Sequence, residues 1–257
     1  KNIFKVKKIK LKDTKSWNFG DSISHISNKF FKIFGYYIRT NFPKNKFFFQ
    51  PLISQEEIGC LAIFKSVKNR KTYFLLQLKA EPGNKNIIQL SPTIQATKSN
   101  YTRVHGGKKT KFIEYLKNKK NILVNINQPE QGSKYLNKFN KNMVIKTKKI
   151  NNLPKSFVWV SINELKKLCK INNLLNMDTI SVLSCYIRKN ILDNPLNSTK
   201  NINVKYLNFK KKYHIKIQKV SLNKMKNWNF NEFNFFDKKR SFFKIESFET
   251  KTNFREI

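Results

Sequence analysis

The sequence predicts an α+β fold with a mixed sheet flanked by helices, and three observations support this prediction. Apolar and polar residues alternate in several short runs, which is typical of strands. Strong turn residues separate two of these runs, and two later segments begin with residues that cap helices. The 257 residues are enough for one large domain or two small ones. In chain order the predicted strands are 30–39, 59–67, 73–81, 88–95, 143–147 and 157–160.

Two of these runs flank the turn Pro82-Gly83-Asn84 and predict a β-hairpin. In the first run Gln77, Lys79 and Glu81 share one face, because successive side chains of a strand point to opposite sides. The polar face of the second run consists of Gln89, Ser91, Thr93 and Gln95. Pairing merges these faces into one wall of hydrogen-bonding groups, which is typical of a site for a polar small molecule. A solvated sheet face is the alternative, and Pro92 favours an edge or a bulge.

Capping residues predict where the helices begin. Ser161 is followed by Glu164, which is the spacing of a capping box and predicts a helix that begins there. We interpret Asp178 as the N-cap of a second helix. The apolar face predicted for that helix consists of Ile180, Leu183, Ile187 and Ile191. A further helix is predicted over 128–137.

The charge balance favours an anionic ligand over nucleic acid. The net charge is +38, yet only six of the 53 basic residues are Arg, and Lys is spread along the whole chain. A nucleic-acid surface more often combines clustered Arg with exposed aromatic rings. A basic nucleic-acid-binding protein therefore stays as a second alternative, while the positive field favours a substrate that carries a diphosphate.

Several other classes of protein are not indicated. No apolar run is long enough to cross a bilayer and the first residues lack a signal peptide, so the sequence predicts a cytoplasmic protein without a membrane partner. Cys60, Cys169 and Cys185 lack the spacing of metal ligands, and dinucleotide and phosphate-loop motifs are missing as well. The sequence therefore predicts no metal site.

Two short motifs occur twice in the same order. Trp17-Asn18-Phe19 returns at 228–230, with an offset of 211 residues. Phe30-Phe31-Lys32-Ile33 returns at 242–245, with an offset of 212 residues. The nearly constant offset predicts an internal repeat.

Three segments of mixed polar residues carry the strongest functional signal. They read QLKAEPGN at 77–84, QLSPTIQAT at 89–97 and SNYTRVHGG at 99–107. Together they resemble the NDP-hexose 2,3-dehydratase family, a match far more specific than a single glycine motif. Shorter matching segments lie on both sides of this block, at 50–53, 57–59, 114–116, 130–133 and 176–179.

The resemblance implies a Nudix-like fold in tandem repeats, which agrees with the repeated motifs. The chain then contains one complete repeat at 1–192, a linker at 193–212 and the truncated beginning of a second repeat at 213–257. The family similarity also implies a homodimer. The glutamate-dense metal motif of Nudix hydrolases is absent from the sequence, so pyrophosphate hydrolysis with bound Mg²⁺ is not expected.

The resemblance further implies a substrate such as dTDP-4-keto-6-deoxyglucose and a role in deoxysugar synthesis. A base removes the proton at C-3, next to the C-4 ketone, and the resulting enolate expels the C-2 hydroxyl. The reaction needs no redox cofactor, and a downstream ketoreductase must consume the reactive product. The first alternative is a nucleotide-sugar-binding unit that has lost turnover through truncation.

The candidate site residues come from the resembling segments. Lys79, Glu81, Tyr101 and His105 are the candidates for base, acid and enolate-stabilising group. The assignment of base and acid is left open, because reach in three dimensions decides it. The side chains predicted to bind the substrate are Gln77, Gln95, Asn100, Arg103, Glu130 and Gln131.

Overall fold

The computed structural model describes residues 4–101, 109–191, 199–239 and 242–252. The strands of the first half are β1 (Phe4–Ile9), β2 (Trp17–Asn18), β3 (Ser22–His25), β4 (Lys32–Thr40), β5 (Lys46–Ser54), β6 (Gly59–Lys68), β7 (Lys71–Ala80), β8 (Ile88–Pro92) and β9 (Ile94–Thr97). The later strands are β10 (Ile122–Pro129), β11 (Phe139–Lys146), β12 (Phe157–Ser161), β13 (Ile215–Val220), β14 (Trp228–Phe230), β15 (Asn234–Asp237) and β16 (Ile245–Thr252).

Helices contain fewer of the described residues than strands do. They are α1 (Lys98–Tyr101), α2 (Ile162–Leu168), α3 (Met177–Ile191) and α4 (Thr199–Lys212). Among the described residues, no helix combines the length and the apolar character needed to cross a membrane. The capping box predicted for α2 is present, because Ser161 and Glu164 bond to each other's backbone amides.

A seven-stranded mixed sheet forms the centre of the fold. Its order is β10-β11-β6-β7-β12, while β8 pairs with β7 and β9 pairs with β6. β6 and β11 run parallel, and the other neighbours run antiparallel. The prediction of an α+β fold with a mixed sheet and helices is therefore confirmed.

Both faces of the central sheet are covered, because β6 sends apolar side chains to either side. Leu61 and Ile63 pack in one core with Val182 of α3. Phe64 packs in the core of the opposite face, against the 3₁₀ turn Ile113–Lys117. Apolar contacts thus bury both faces of the central sheet.

The predicted hairpin is present in this sheet. β7 pairs with β8, with Lys79 opposite Gln89 and Gln77 opposite Ser91. The second run is not one strand, however, because β8 ends at Pro92 and β9 leaves β7 to pair with β6. Proline lacks an amide donor, so a break at this position agrees with the predicted irregularity.

Thr93 lies at this break. The prediction that its hydroxyl belongs to an open polar face is wrong. Its hydroxyl donates to the carbonyl of Leu75 and accepts from the amide of Phe64, which is 3.1 Å away. The residue is buried. Its hydroxyl therefore satisfies backbone groups at the strand crossing and is not open to a ligand.

Two smaller sheets join the first part of the chain to the last. β1 pairs with β16, and β13 pairs with β4. In the core between them, Leu222, Met225 and Trp228 pack with Ile23 and Ile33. The two parts therefore share apolar contacts that neither makes by itself.

Two helix predictions are wrong. Residues 128–137 are not helical, because β10 continues to Pro129, pairs with β11, and is joined to it by a loop. Asp178 is not the N-cap of α3, since Asn176 accepts a hydrogen bond from the Thr179 amide at 2.9 Å.

The apolar face predicted for helix α3 is confirmed at Leu183, which is buried, but not at the two isoleucines before and after it. Ile180 and Ile187 are 43% and 51% exposed. The Thr179 hydroxyl donates to the Leu90 carbonyl at 2.9 Å, and this anchor on β8 sets the rotation of the helix. The Ile191 side chain lies outside the described part of the chain. The buried apolar side chains of α3 are Val182, Leu183 and Cys185.

Candidate active site

Three predicted site residues meet at the end of the β7–β8 hairpin. Lys79 Nζ lies 3.3 Å from Glu81 Oε1, and the same oxygen accepts from Gln95 Nε2 at 2.9 Å. Asn84, in the hairpin turn, donates to the other Glu81 oxygen at 3.2 Å. The side chains of Lys79 and Glu81 are only 18% and 29% exposed. Burying charged groups costs free energy, so a largely buried ion pair held in place by amide side chains is typical of a ligand site.

Asn176 ties this hairpin to helix α3. Its Nδ2 donates to Ser91 Oγ at 3.1 Å and to Gln95 Oε1 at 3.0 Å. Its Oδ1 accepts from the amide of Thr179 at 2.9 Å. Because Asn176 is buried with both ends of its amide engaged, it fixes Gln95 and, through Gln95, the carboxylate of Glu81.

Asp178 lies in the first turn of α3, near the carboxylates of Glu130 and Glu81. Burial first, and then repulsion from these two carboxylates, raises the pKa of Asp178 to about 6, and Lys79 opposes this shift. A carboxyl group with such a pKa suits proton transfer, because it exchanges a proton easily near neutral pH. Glu130 itself accepts from Asn140 Nδ2 at 2.5 Å.

Lys138 is a buried cation between Glu57 and Glu130. Its side chain donates to the backbone carbonyl of Glu57, and the residue is 7% exposed. Burial lowers the pKa of Lys138, while Glu130 and Glu57 act in the opposite direction. The Glu57 carboxylate accepts from Ser99 Oγ at 2.6 Å. Charged side chains thus connect the hairpin with α1.

Two phenols border these carboxylates. Burial and the neighbouring Cys60 and Glu57 raise the pKa of Tyr101, so its hydroxyl keeps its proton at neutral pH. Burial, Glu130 and Asp178 raise the pKa of Tyr135 in the same way. Both hydroxyls are therefore hydrogen-bond donors beside a carboxylate-rich region.

The other predicted site residues are less closely grouped. Gln77 lies on β7, two residues before Lys79. Asn100 is exposed on α1 and lines a cleft beside the site. Gln131 is exposed in the loop after β10, with its Nε2 3.9 Å from Met177 Sδ. Two further predicted site residues lie outside the described part of the chain, Arg103 and His105.

Sequence reasoning missed Asp178, Glu57 and Lys138. Asp178 and Glu57 belong to matched segments, at 176–179 and 57–59, so the resemblance held a usable signal for both. Asp178 was interpreted only as an N-cap, because an acidic residue at the start of a helix is typical of a cap. Lys138 offered no signal, since one Lys is not distinctive in so Lys-rich a chain.

The arrangement combines three chemical abilities. A carboxyl group can take a proton, an ammonium group can hold an oxygen that gains negative charge, and phenols can donate protons. In the parts of the chain that the structure describes, no group of three or more His, Cys, Asp or Glu side chains could hold a metal ion. Together these abilities suit an elimination next to a carbonyl group.

Comparison with known proteins agrees with this chemistry. A family profile described as NDP-hexose 2,3-dehydratase matches residues 1–186. A dTDP-4-dehydro-6-deoxy-alpha-D-glucopyranose 2,3-dehydratase of Amycolatopsis orientalis is 33% identical over 239 residues, which cover 88% of this chain and 50% of that protein. Enzymes with the same name from Saccharopolyspora spinosa and Streptomyces violaceoruber are 34% and 35% identical, over 72% and 70% of this chain.

These relatives are considerably longer than the present chain. The matched residues cover 50%, 39% and 42% of the three proteins, so the chain spans about half their length or less. The match nevertheless includes every described residue of the candidate site. The resemblance predicted from the polar segments is thereby confirmed, and the chain belongs to the NDP-hexose 2,3-dehydratase family.

Proposed function

We propose that this chain provides a sugar-nucleotide 2,3-dehydratase unit that acts on dTDP-4-keto-6-deoxyglucose in deoxysugar biosynthesis. The main support is the meeting of Lys79, Glu81 and Gln95 beside Asp178. The relatives are named for this reaction, and their family matches the chain. The elimination removes a proton from C-3 and the hydroxyl from C-2, and it releases water.

Asp178 is the base in this proposal. With a pKa of about 6 it is mostly ionised at neutral pH, yet it is basic enough to take the proton at C-3. Glu81 is less suited, because both of its oxygens already accept hydrogen bonds from neighbouring amides. Its role is to position Lys79, with which it forms an ion pair.

Lys79 stabilises the enolate and Tyr101 acts as the acid. The C-4 oxygen gains negative charge as the C-3 proton leaves, and a largely buried ammonium stabilises that charge. Tyr101 is protonated at neutral pH and donates a proton to the departing hydroxide, which leaves as water. The electron pair of the C-3–H bond becomes part of the new double bond between C-2 and C-3.

The remaining predicted residues complete the site in this proposal. The amides of Gln77, Gln95 and Asn100 orient the sugar hydroxyls, and Glu130 and Gln131 close the site. Two predicted residues outside the described range keep the roles expected from the resemblance, Arg103 toward the enolate or diphosphate and His105 in proton transfer.

We also propose one complete Nudix-like repeat at 1–192, a linker at 193–212 that includes α4, and the beginning of a second repeat at 213–257. β1 and β13 begin 211 residues apart, as do β2 and β14, and β3 and β15 begin 212 apart. The pairing is also reciprocal, because β1 pairs with β16 while β13 pairs with β4. The first strand of each proposed repeat thus pairs with the fourth strand of the other.

Two partners belong to the proposal. The product of the elimination is an enol that converts to a reactive diketone, so a ketoreductase must consume it. The homodimer implied by the family similarity is a further prediction, and analytical ultracentrifugation measures it.

The proposed activity is tested by incubating the chain with dTDP-4-keto-6-deoxyglucose, a ketoreductase and its reduced nicotinamide cofactor. We expect a reduced product without the C-2 oxygen, detected by mass spectrometry, and none when the chain is omitted. Unchanged substrate together with tight dTDP-sugar binding would reject the enzyme and favour a non-catalytic binding unit. Binding of single-stranded DNA alone, with steep salt dependence, would favour a nucleic-acid-binding protein.

A further inference from the structure

A cleft of about 680 Å³ lies beside the candidate active site, where the first and last parts of the chain meet. This volume falls in the usual range for small-molecule sites. One wall includes Thr97, Ser99 and Asn100. Gln95 precedes Thr97 by two residues on β9, so the two lie about 7 Å apart on one face of the strand. The cleft is therefore adjacent to the candidate active site at Gln95.

Other parts of the lining combine aromatic rings with cations. These side chains include Phe30, Phe34, Tyr36, Lys32 and Lys219. Phe30 is 43% exposed and presents a ring to the cleft. The lining contains three Lys, at 29, 32 and 219, and two Glu, at 56 and 57, so its formal charge is positive. Rings beside cations suit a ligand with a flat base and a negative phosphate chain.

A second cleft provides an internal comparison. It has a volume of about 600 Å³ and is lined by residues 242–244, which repeat the Phe-Phe-Lys of 30–32 in the first cleft. Two cations near this second cleft already share a carboxylate as their partner. Glu246 Oε1 lies 2.5 Å from Lys8 Nζ and 2.9 Å from Lys244 Nζ.

The first cleft has no such carboxylate at the corresponding position. Phe34 lies opposite Ser22 where β3 meets β4, just as Glu246 lies opposite Asn234 where β15 meets β16. Lys219 follows Lys8 by 211 residues, and its Nζ lies 3.3 Å from the centre of the Phe34 ring. The replacement of a carboxylate by a ring leaves Lys32 and Lys219 without the counter-ion that Lys244 and Lys8 have at this position.

Lys32 and Lys219 of the first cleft are therefore available to an anion. Among the residues that the structure describes, neither Lys32 nor Lys219 forms an ion pair with a carboxylate. Glu57, on the same cleft, is occupied by the hydroxyl of Ser99. A phosphate group supplies the acceptor oxygens that two nearby ammonium groups lack.

We infer that the first cleft binds the diphosphate of a nucleoside diphosphate through Lys32 and Lys219, with the base against Phe30. This rests on the proposed function, because it gives a position to the nucleotide of that substrate. Lys219 belongs to β13 and lies beyond the residues 1–186 that the family profile matches. The last part of the chain therefore completes a site formed mainly by the first.

Titration calorimetry with thymidine 5′-diphosphate tests this inference directly. We expect Lys219→Ala to weaken binding about tenfold or more, because it removes a charge-assisted contact to phosphate. Lys216→Ala is the matched control, since it makes the same change on the same strand but points to the other face. Its affinity should equal that of the wild type. Thymidine, which lacks the diphosphate, should bind equally to all three proteins.

Other outcomes separate this inference from the proposed function. Equal affinity of the wild type and Lys219→Ala for the diphosphate, or no binding by the wild type, would overturn the inference. If the wild type and Lys219→Ala both formed dehydrated product with equal KM, the proposed function would stand and the inference about the first cleft would be rejected. Diphosphate binding that depends on Lys219, without any turnover, would keep the inference and reject the activity. Lys32→Ala gives an independent second variant with the same expectation.

Discussion

Charged residues serve two different purposes in two regions of this molecule. Around the hairpin they are few, largely buried and bonded to neighbouring side chains, as in the pair Lys79–Glu81. Over the outer sheets some ion pairs are mostly exposed, as in Lys251–Glu249, whose side chains are 71% and 48% exposed and 3.8 Å apart. Low dielectric strengthens the first kind and water screens the second. The network of bonded, largely buried side chains, and not the net charge of +38, therefore distinguishes the candidate site.

Among substitutions in the two regions, Asp178→Asn should have the largest effect on turnover. Turnover is expected to fall about 100- to 10,000-fold, the usual contribution of a positioned base. In the wild type kcat/KM should rise as pH increases through about 6, because Asp178 ionises there, and the variant should lose this rise. A pH–rate profile measures both effects, with Asp13→Asn as the exposed control. Wild-type turnover in Asp178→Asn would remove this residue from the reaction.

Lys79→Ala should reduce turnover about 100-fold or more, because it removes the cation proposed to hold the enolate oxygen. Lys71→Ala changes the exposed end of the same strand and should leave turnover unaltered. Steady-state kinetics of both variants provides the comparison. If the two variants were equally active, burial would not distinguish functional from surface lysines in β7.

Asn176→Ala should lower the free energy of unfolding by about 2–3 kcal/mol. The change removes a helix cap and the hydrogen bonds that Ser91 Oγ and Gln95 Oε1 accept from Asn176. Urea denaturation measures this loss, with the exposed Asn172→Ala as control. A loss no larger than that of the control would show that the buried amide network does not stabilise the fold.

Asp178→Asn should also change the free energy of unfolding. Above the pH range in which Asp178 ionises, we expect the variant to be more stable than the wild type. The pKa of Asp178 rises from 3.8 to about 6 on folding, so the folded state binds more protons in this window and stability falls as pH rises through it. Above the window the variant avoids a cost of roughly 1–3 kcal/mol, and below it the difference disappears. Urea denaturation above and below the window checks the sign.

Glu249→Gln should have the smallest effect. The pair with Lys251 is exposed, so we expect a change of about 0.5 kcal/mol or less that disappears in high salt. Thermal denaturation at two salt concentrations is the measurement. A larger loss would mean that the surface ion pairs contribute to the outer sheets as strongly as buried contacts do.

The features that could be predicted from the sequence were those that depend on residues close together in the chain. The hairpin followed from Pro82-Gly83-Asn84 and the alternation on either side, and the α2 cap followed from Ser161 and Glu164. Residues 128–137 were mistaken for a helix because their composition does not exclude one, whereas pairing with β11 decided where β10 ends. Distant contacts are not visible in a window of neighbouring residues.

The sequence by itself determined the family, the mixed sheet and the grouping of Lys79, Glu81 and Gln95. These depend on residue identity and on strand geometry, both of which are written along the chain. Only the tertiary structure decided that Asp178 faces other carboxylates and that Lys219 reaches the cleft beside the site. Burial and long-range pairing set both results, because a pKa depends on surroundings and β13 reaches β4 across the whole fold.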